Sequence, residues 1–146
     1  MPAFPGHPLA DMLRRDREEW LALVAALDAR PSGALHDPES PLWEAKDVYS
    51  HLARWITHST DDLEARLGGR TVALLEGSDD EINARWQAED AALTLAETRE
   101  RAQGAFDRRI AAIEAVPPHR WDNRLTAVAR ADCYEHYAGH RRSIVE

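Results

Sequence analysis

The sequence predicts an all-α protein folded as a four-helix bundle, with a long crossover connection and a short extra helix. Three observations carry that expectation. Glycine and proline cluster at residues 2 to 8, 31 to 41, 68 to 77 and 117 to 118, leaving long stretches between them. Within those stretches apolar residues return every three to four positions, the repeat of an amphipathic helix. No stretch alternates apolar and polar residues for long enough to demand a sheet.

The first predicted helix runs from about Leu9 to Ala29, with Leu9, Leu13, Trp20, Leu23, Val24 and Leu27 on one side, and Pro31 and Gly33 close it. The second runs from about Glu44 to Leu67 through Val48, Leu52, Trp55, Ile56 and Leu63. Gly68-Gly69 is its stop signal. Next, Ser78 with Asp79, Asp80 and Glu81 after it reads as the N-cap of a short helix that carries Ile82 and Trp86, either separate or continuous with the next long helix.

Thr94 and Glu97 stand in the reciprocal spacing of a capping box, so the third long helix starts there. It turns Ala102, Phe106, Ile110 and Ile113 inward and ends before Pro117-Pro118. The fourth is expected as one continuous helix from near Thr126, through Val128, Tyr134, Tyr137 and Ile144. Arg141 and Arg142 in its last turns suit the helix dipole. The connection from Gly68 to about Thr94 is long enough to cross the bundle, so a simple up-down-up-down order is not assumed.

A chain of 146 residues is expected to form a single domain spanning 1–146, burying about 68–70% of its unfolded surface. Eighteen basic and twenty-six acidic side chains give 18 − 26 = −8. That balance argues against nucleic acid or an anionic membrane as partner. One cysteine, Cys133, allows no intrachain disulfide. The first residues lack the basic and apolar runs of a secretion signal, and no run reaches the length of a membrane span, so the expected compartment is the cytoplasm.

His136 and His140 lie four apart, which stacks two imidazoles on one helix face, where both can meet one metal ion. His51, flanked by Val48, Leu52 and Trp55, is the best-placed third ligand from another helix. The plain alternative is a solvated histidine pair beside a partly buried histidine, and spacing alone leaves the two open. Trp43, Trp55 and Trp86 read either as pocket walls or as core. Tyr49, Asn83 and Tyr137 read as hydrogen-bond donors near the site or as capping groups. His58 lies two turns after His51, as a supporting group or a surface residue, and Cys133 reads as a small buried hydrophobe before it reads as a ligand or nucleophile. His7, His36 and His119 have no assigned role.

Three segments carry a family resemblance. The stretch from Leu42 to Trp55, with Trp43, Lys46-Asp47, His51-Leu52 and Trp55, resembles a pattern of the DinB-like superfamily, closest to its ClbS/DfsB branch. Asn83 after the acidic cap is similar to an asparagine of that branch, and His136-Tyr137 with His140 and Ile144 is similar to its closing helix. The resemblance covers residues 9 to 144 and implies a four-helix bundle with a long crossover and a divalent metal (nickel, zinc or iron) on His51, His136 and His140. The chain departs from the pattern at Gly139, where an acidic residue is common; Glu135 is adjacent to His136 but points about 100° away.

Three ligands leave an open coordination position, the arrangement of a catalytic rather than a closed structural metal site. The resemblance therefore implies a metal-dependent hydrolase, or a thiol S-transferase using a low-molecular-weight thiol such as bacillithiol or mycothiol, acting on a small molecule. The alternative is a non-catalytic stress-protection protein that sequesters a small molecule in the same cavity. A third reading is an interaction protein whose bundle forms a homodimer, with the histidines incidental.

Overall fold

The computed structural model describes residues 6–35 and 43–145. His36, to which the sequence assigns no role, lies outside them. The described residues are helical without any strand, in the order α1 (Ala10–Asp28), α2 (Ala45–Leu67), α3 (Asp79–Asp90), α4 (Leu95–Ala115), α5 (Asn123–Arg130) and α6 (Tyr134–Val145), with one turn of 3-10 helix at Pro118–Arg120 before α5. The protein is an all-α bundle.

Local chemistry sets most of the boundaries. Before α1, the His7 ring accepts the backbone N–H of Leu9 through Nδ1, and its Nε2 donates to the carbonyl of Ile113. That pair of contacts fixes one tautomer and makes His7 a structural tie between α1 and α4. The start of α2 is a reciprocal cap between Glu44 and Asp47. Its end is closed by Gly69, at φ +73°, where Arg70 N–H bonds the carbonyl of Ala65 and Gly69 N–H that of Arg66, a Schellman arrangement that only a residue free to take positive φ closes cheaply. Ser78 caps α3 by accepting from Glu81 N–H, and the Thr94/Glu97 capping box forms at α4.

The directions of the long helices follow from who meets whom. The carboxylate of Asp28 at the end of α1 meets Arg99 at the start of α4 and Tyr49 near the start of α2. Near the other end Asp16 meets Arg109. Helix α1 is therefore antiparallel to both α2 and α4, and α2 is parallel to α4. Two successive parallel helices need a return path. At about 1.5 Å per residue α2 is about 34 Å long, and the segment from Gly68 to Leu93 carries the chain back along it.

Helix α3 is the middle of that return. Its Asn83 meets Trp55, its Asp90 meets Arg54 and Ser50, and the carbonyl of Ala91 meets Lys46, so α3 runs back antiparallel to α2. The last helix runs parallel to α1, with Arg141 on Glu19 and Arg30 on the carbonyl of Ile144. The four long elements thus go up, down, down and up. Their core joins Leu13, Leu23 and Leu27 of α1 to Leu52, Ile56 and Leu63 of α2 and Ile113 of α4. Trp20 stacks on Phe106 at 4.6 Å, and both rings meet Tyr137 of α6 edge-on.

One expectation is corrected. The last element is two helices, α5 and α6, broken at Ala131-Asp132-Cys133, and α5 begins at Asn123 under an Asp122 cap. No glycine or proline marks the break. A buried ion pair from elsewhere in the chain fixes it. Arg109, 3% exposed, holds Asp16, 0% exposed, at 2.6 Å. The same guanidinium donates to the carbonyl of Ala129 at the end of α5, and the other carboxylate oxygen accepts the N–H of Tyr134 at the start of α6. Each charge thus sits on the helix end whose dipole it complements.

Candidate metal centre

The break between α5 and α6 positions the site. It starts α6 anew at Tyr134, so that His136 and His140 leave one face of a short helix and meet His51 from the antiparallel α2. The three Nε2 atoms converge: His136 Nε2 lies 3.2 Å from that of His51 and 3.1 Å from that of His140. Among the described residues these three histidines form a group able to hold a metal ion, their ligand atoms all lying within 4.8 Å of one another.

The donor set fits such an ion. Nitrogens bound at 2.0–2.1 Å stand about 3.3–3.4 Å apart around a tetrahedral centre and about 2.8–3.0 Å apart when adjacent in an octahedral one. The separations of 3.1 and 3.2 Å fall between those limits. Two further features point the same way. Asp132 Oδ1 lies 3.2 Å from His136 Nδ1, the carboxylate–histidine pairing that keeps the proton on Nδ1 and leaves the Nε2 lone pair free. His51 is held as neutral imidazole, its pKa pushed down to about 3 by burial and then by the neighbouring His140 and His136. Its Nδ1 is one of two buried side-chain polar atoms without a hydrogen-bond partner among the described residues.

Asp132 is a site residue that the sequence reading did not single out, although it precedes His136 by the same four residues that separate His136 from His140. Burial works against its charge, yet the hydrogen bond and charge of His136 hold its carboxyl below the usual range. It stands four residues before His136, in the turn that precedes α6, and that one-turn spacing brings its carboxylate to the ring. Gly139 lines the cleft one position before His140.

The histidines open onto a cleft of about 1090 Å³. Of the residues named from the sequence, Trp43, Trp55, Asn83 and His58 line it with the three histidines. Trp43 lies 4.9 Å from the His51 ring, and Trp55 donates its indole N–H to Asn83 Oδ1 at 2.7 Å, which fixes both side chains. Tyr49, Trp86 and Tyr137 are placed elsewhere. Tyr49 is buried and donates to Asp28 Oδ1. Tyr137 is buried in the core and donates to the backbone carbonyl of Asp132, bracing the break from below. Trp86 stands behind Trp55, edge-on at 4.8 Å, and lines a smaller groove on the far side.

Cys133 is buried, its thiol pushed up by that burial, and it is not part of the histidine group. His119 lies exposed in the 3-10 turn. No helix among the described residues is long and apolar enough to cross a membrane.

Comparison with protein-family models and with curated proteins finds no match. Among solved structures, the crystal structure of an uncharacterised protein from Escherichia coli UTI89 is similar, with a TM-score of 0.75 over 93% of this chain and 91% of that one at 13% identity. At that identity the likeness concerns the fold.

Proposed function

We propose that this protein is a metal-dependent enzyme of the DinB-like type, near the ClbS/DfsB branch, acting on a small molecule as a hydrolase or a thiol S-transferase. The observation that carries the reading is the convergence of three Nε2 atoms, with Asp132 behind one of them, on the wall of a large cleft. A divalent ion held by His51, His136 and His140 supplies Lewis acidity and lowers the pKa of a water or thiol that reaches it.

The chain's own residues do the rest. Asp132 fixes the tautomer of His136, and burial keeps His51 neutral, so neither ring must lose a proton before it ligates. Trp43 and Trp55 give the cleft an apolar wall that excludes water from one side of a bound molecule. Nickel, zinc and iron all accept imidazole nitrogen.

The same tryptophan wall favours a second reading, a binding protein that sequesters a small molecule without turning it over. Metal content by plasma mass spectrometry, on untagged protein purified without chelating resin, separates the two. About one equivalent of a transition metal, lost in His51→Ala, is the expected result. Absence of metal after incubation with nickel, zinc and iron salts would leave the binding protein as the better account.

A further inference from the structure

The walls of the cleft carry charge of one sign. Asp62, Asp79, Asp80, Asp132 and Glu135 line it, and among the described residues no lysine or arginine does. Two of the five are engaged, Asp62 with Arg66 at 2.9 Å and Asp132 with His136. The other three, Asp79, Asp80 and Glu135, are exposed, and no cation among the described residues pairs with them. Asp79 and Asp80 occupy the first turn of α3, and Glu135 that of α6.

An acidic first turn is ordinary by itself, because the helix dipole favours it. The feature that matters is that two unrelated helix starts, brought together by the crossover and by the α5/α6 break, turn their acids into the same cleft as the three imidazoles. The rings of Trp43 and Trp55 line the same cleft as those acids, and an indole face attracts a cation.

We propose that the cleft selects a ligand bearing a positive charge, a primary amine or a quaternary ammonium, with Asp79, Asp80 and Glu135 as the residues that set this preference. The end of the ligand that meets the histidines rests on the metal-dependent reading of the site; the charged end does not. Multiply anionic molecules are excluded by the same field, which falls off over a Debye length and weakens with salt.

Two series of probes test the inference. On metal-free protein, tryptophan fluorescence follows binding of benzyltrimethylammonium, benzyl alcohol and phenylacetate. On cobalt-loaded protein, the thiolate-to-cobalt absorption band follows binding of cysteamine and 3-mercaptopropionate. In both series the cationic probe is expected to bind about tenfold more tightly than the anionic one, the summed effect of three exposed charges. The ratio should fall below about twofold in high salt and in the triple variant Asp79→Asn, Asp80→Asn, Glu135→Gln. Unchanged circular dichroism and cobalt uptake in that variant confirm that its fold and histidines are intact.

Equal or tighter binding of the anionic probe, no detectable binding of the ammonium probe, or an undiminished ratio in the triple variant would overturn the proposal. A protein that takes up no cobalt, nickel, zinc or iron refutes the metal reading alone, since the metal-free series still decides the charge preference.

Discussion

Asp132 decides which nitrogen of His136 is available, and that makes it the residue whose loss separates a metal site from a cluster of histidines. Its carboxylate accepts from Nδ1–H at 3.2 Å, so the Nε2 lone pair faces His51 and His140. Asp132→Asn keeps the shape and hydrogen-bonding capacity of the side chain but removes the charge that favours this tautomer. The expected outcome is a metal affinity about 10–100-fold weaker, measured by competition with a chromophoric chelator. Circular dichroism of the metal-free variant should match that of the parent; an unchanged affinity would mean that the Asp132–His136 contact has no part in ligation. Residue spacing made His136 and His140 legible as a pair, because four positions is one helical turn. It did not make Tyr137 or Tyr49 legible as core. Tyr137 follows His136 by about 100° of rotation and Tyr49 precedes His51 by about 200°, and in the folded bundle those directions point into the core and toward Asp28 rather than into the cleft.

Elements are held at this site by charged groups placed at their ends. The last carboxylate of α3, Asp90, lies at the unfavourable end of that helix's dipole, and the bidentate guanidinium of Arg54 and the hydroxyl of Ser50 offset this. Those partners hold the Asp90 carboxyl below the ordinary carboxylate range. A depressed folded-state pKa adds stability that is present above the unfolded value, near pH 4, and is lost as pH falls through the lower folded value. Asp90→Asn should therefore cost about 1–3 kcal/mol at neutral pH, and progressively less below pH 4. Urea titrations at several pH values check both, and hydrogen exchange should show α3 loosening first.

The break between α5 and α6 depends on a stronger version of the same device. Removing one member of the Asp16–Arg109 pair, as in Arg109→Met, strands a buried carboxylate and should cost about 3–5 kcal/mol in denaturant unfolding. A loss below about 1 kcal/mol would mean the pair is not what fixes the break. Starts and stops that depend on adjacent residues, such as Ser78, Thr94 with Glu97, and Gly69, were legible in the sequence. The break was not, since Ala131-Asp132-Cys133 contains no breaker and its determinants lie elsewhere in the chain, Asp16 being 118 residues from Tyr134.

At the scale of the molecule, the three ligands come from α2 and α6, which approach each other in space and not in sequence. Any ion that binds all three histidines therefore binds the folded bundle far better than the open chain. Linkage turns that difference into stability, about 2.7 kcal/mol when the free ion stands at a hundred times its dissociation constant. For a domain of this size each kcal/mol moves the melting temperature by about 2–4 °C. Adding nickel or zinc to chelator-treated protein should thus raise the melting temperature by about 5–10 °C in differential scanning calorimetry, and a strong chelator should reverse the rise. His51→Ala contributes nothing from α2 and leaves only a two-histidine site within α6, which cannot tie the two elements together. Its melting temperature should be nearly insensitive to the ion, even if the ion still binds weakly. A full shift in His51→Ala would mean that the stabilising ion sits elsewhere, whereas a shift that vanishes in both His51→Ala and His140→Ala requires ligands from both helices at once.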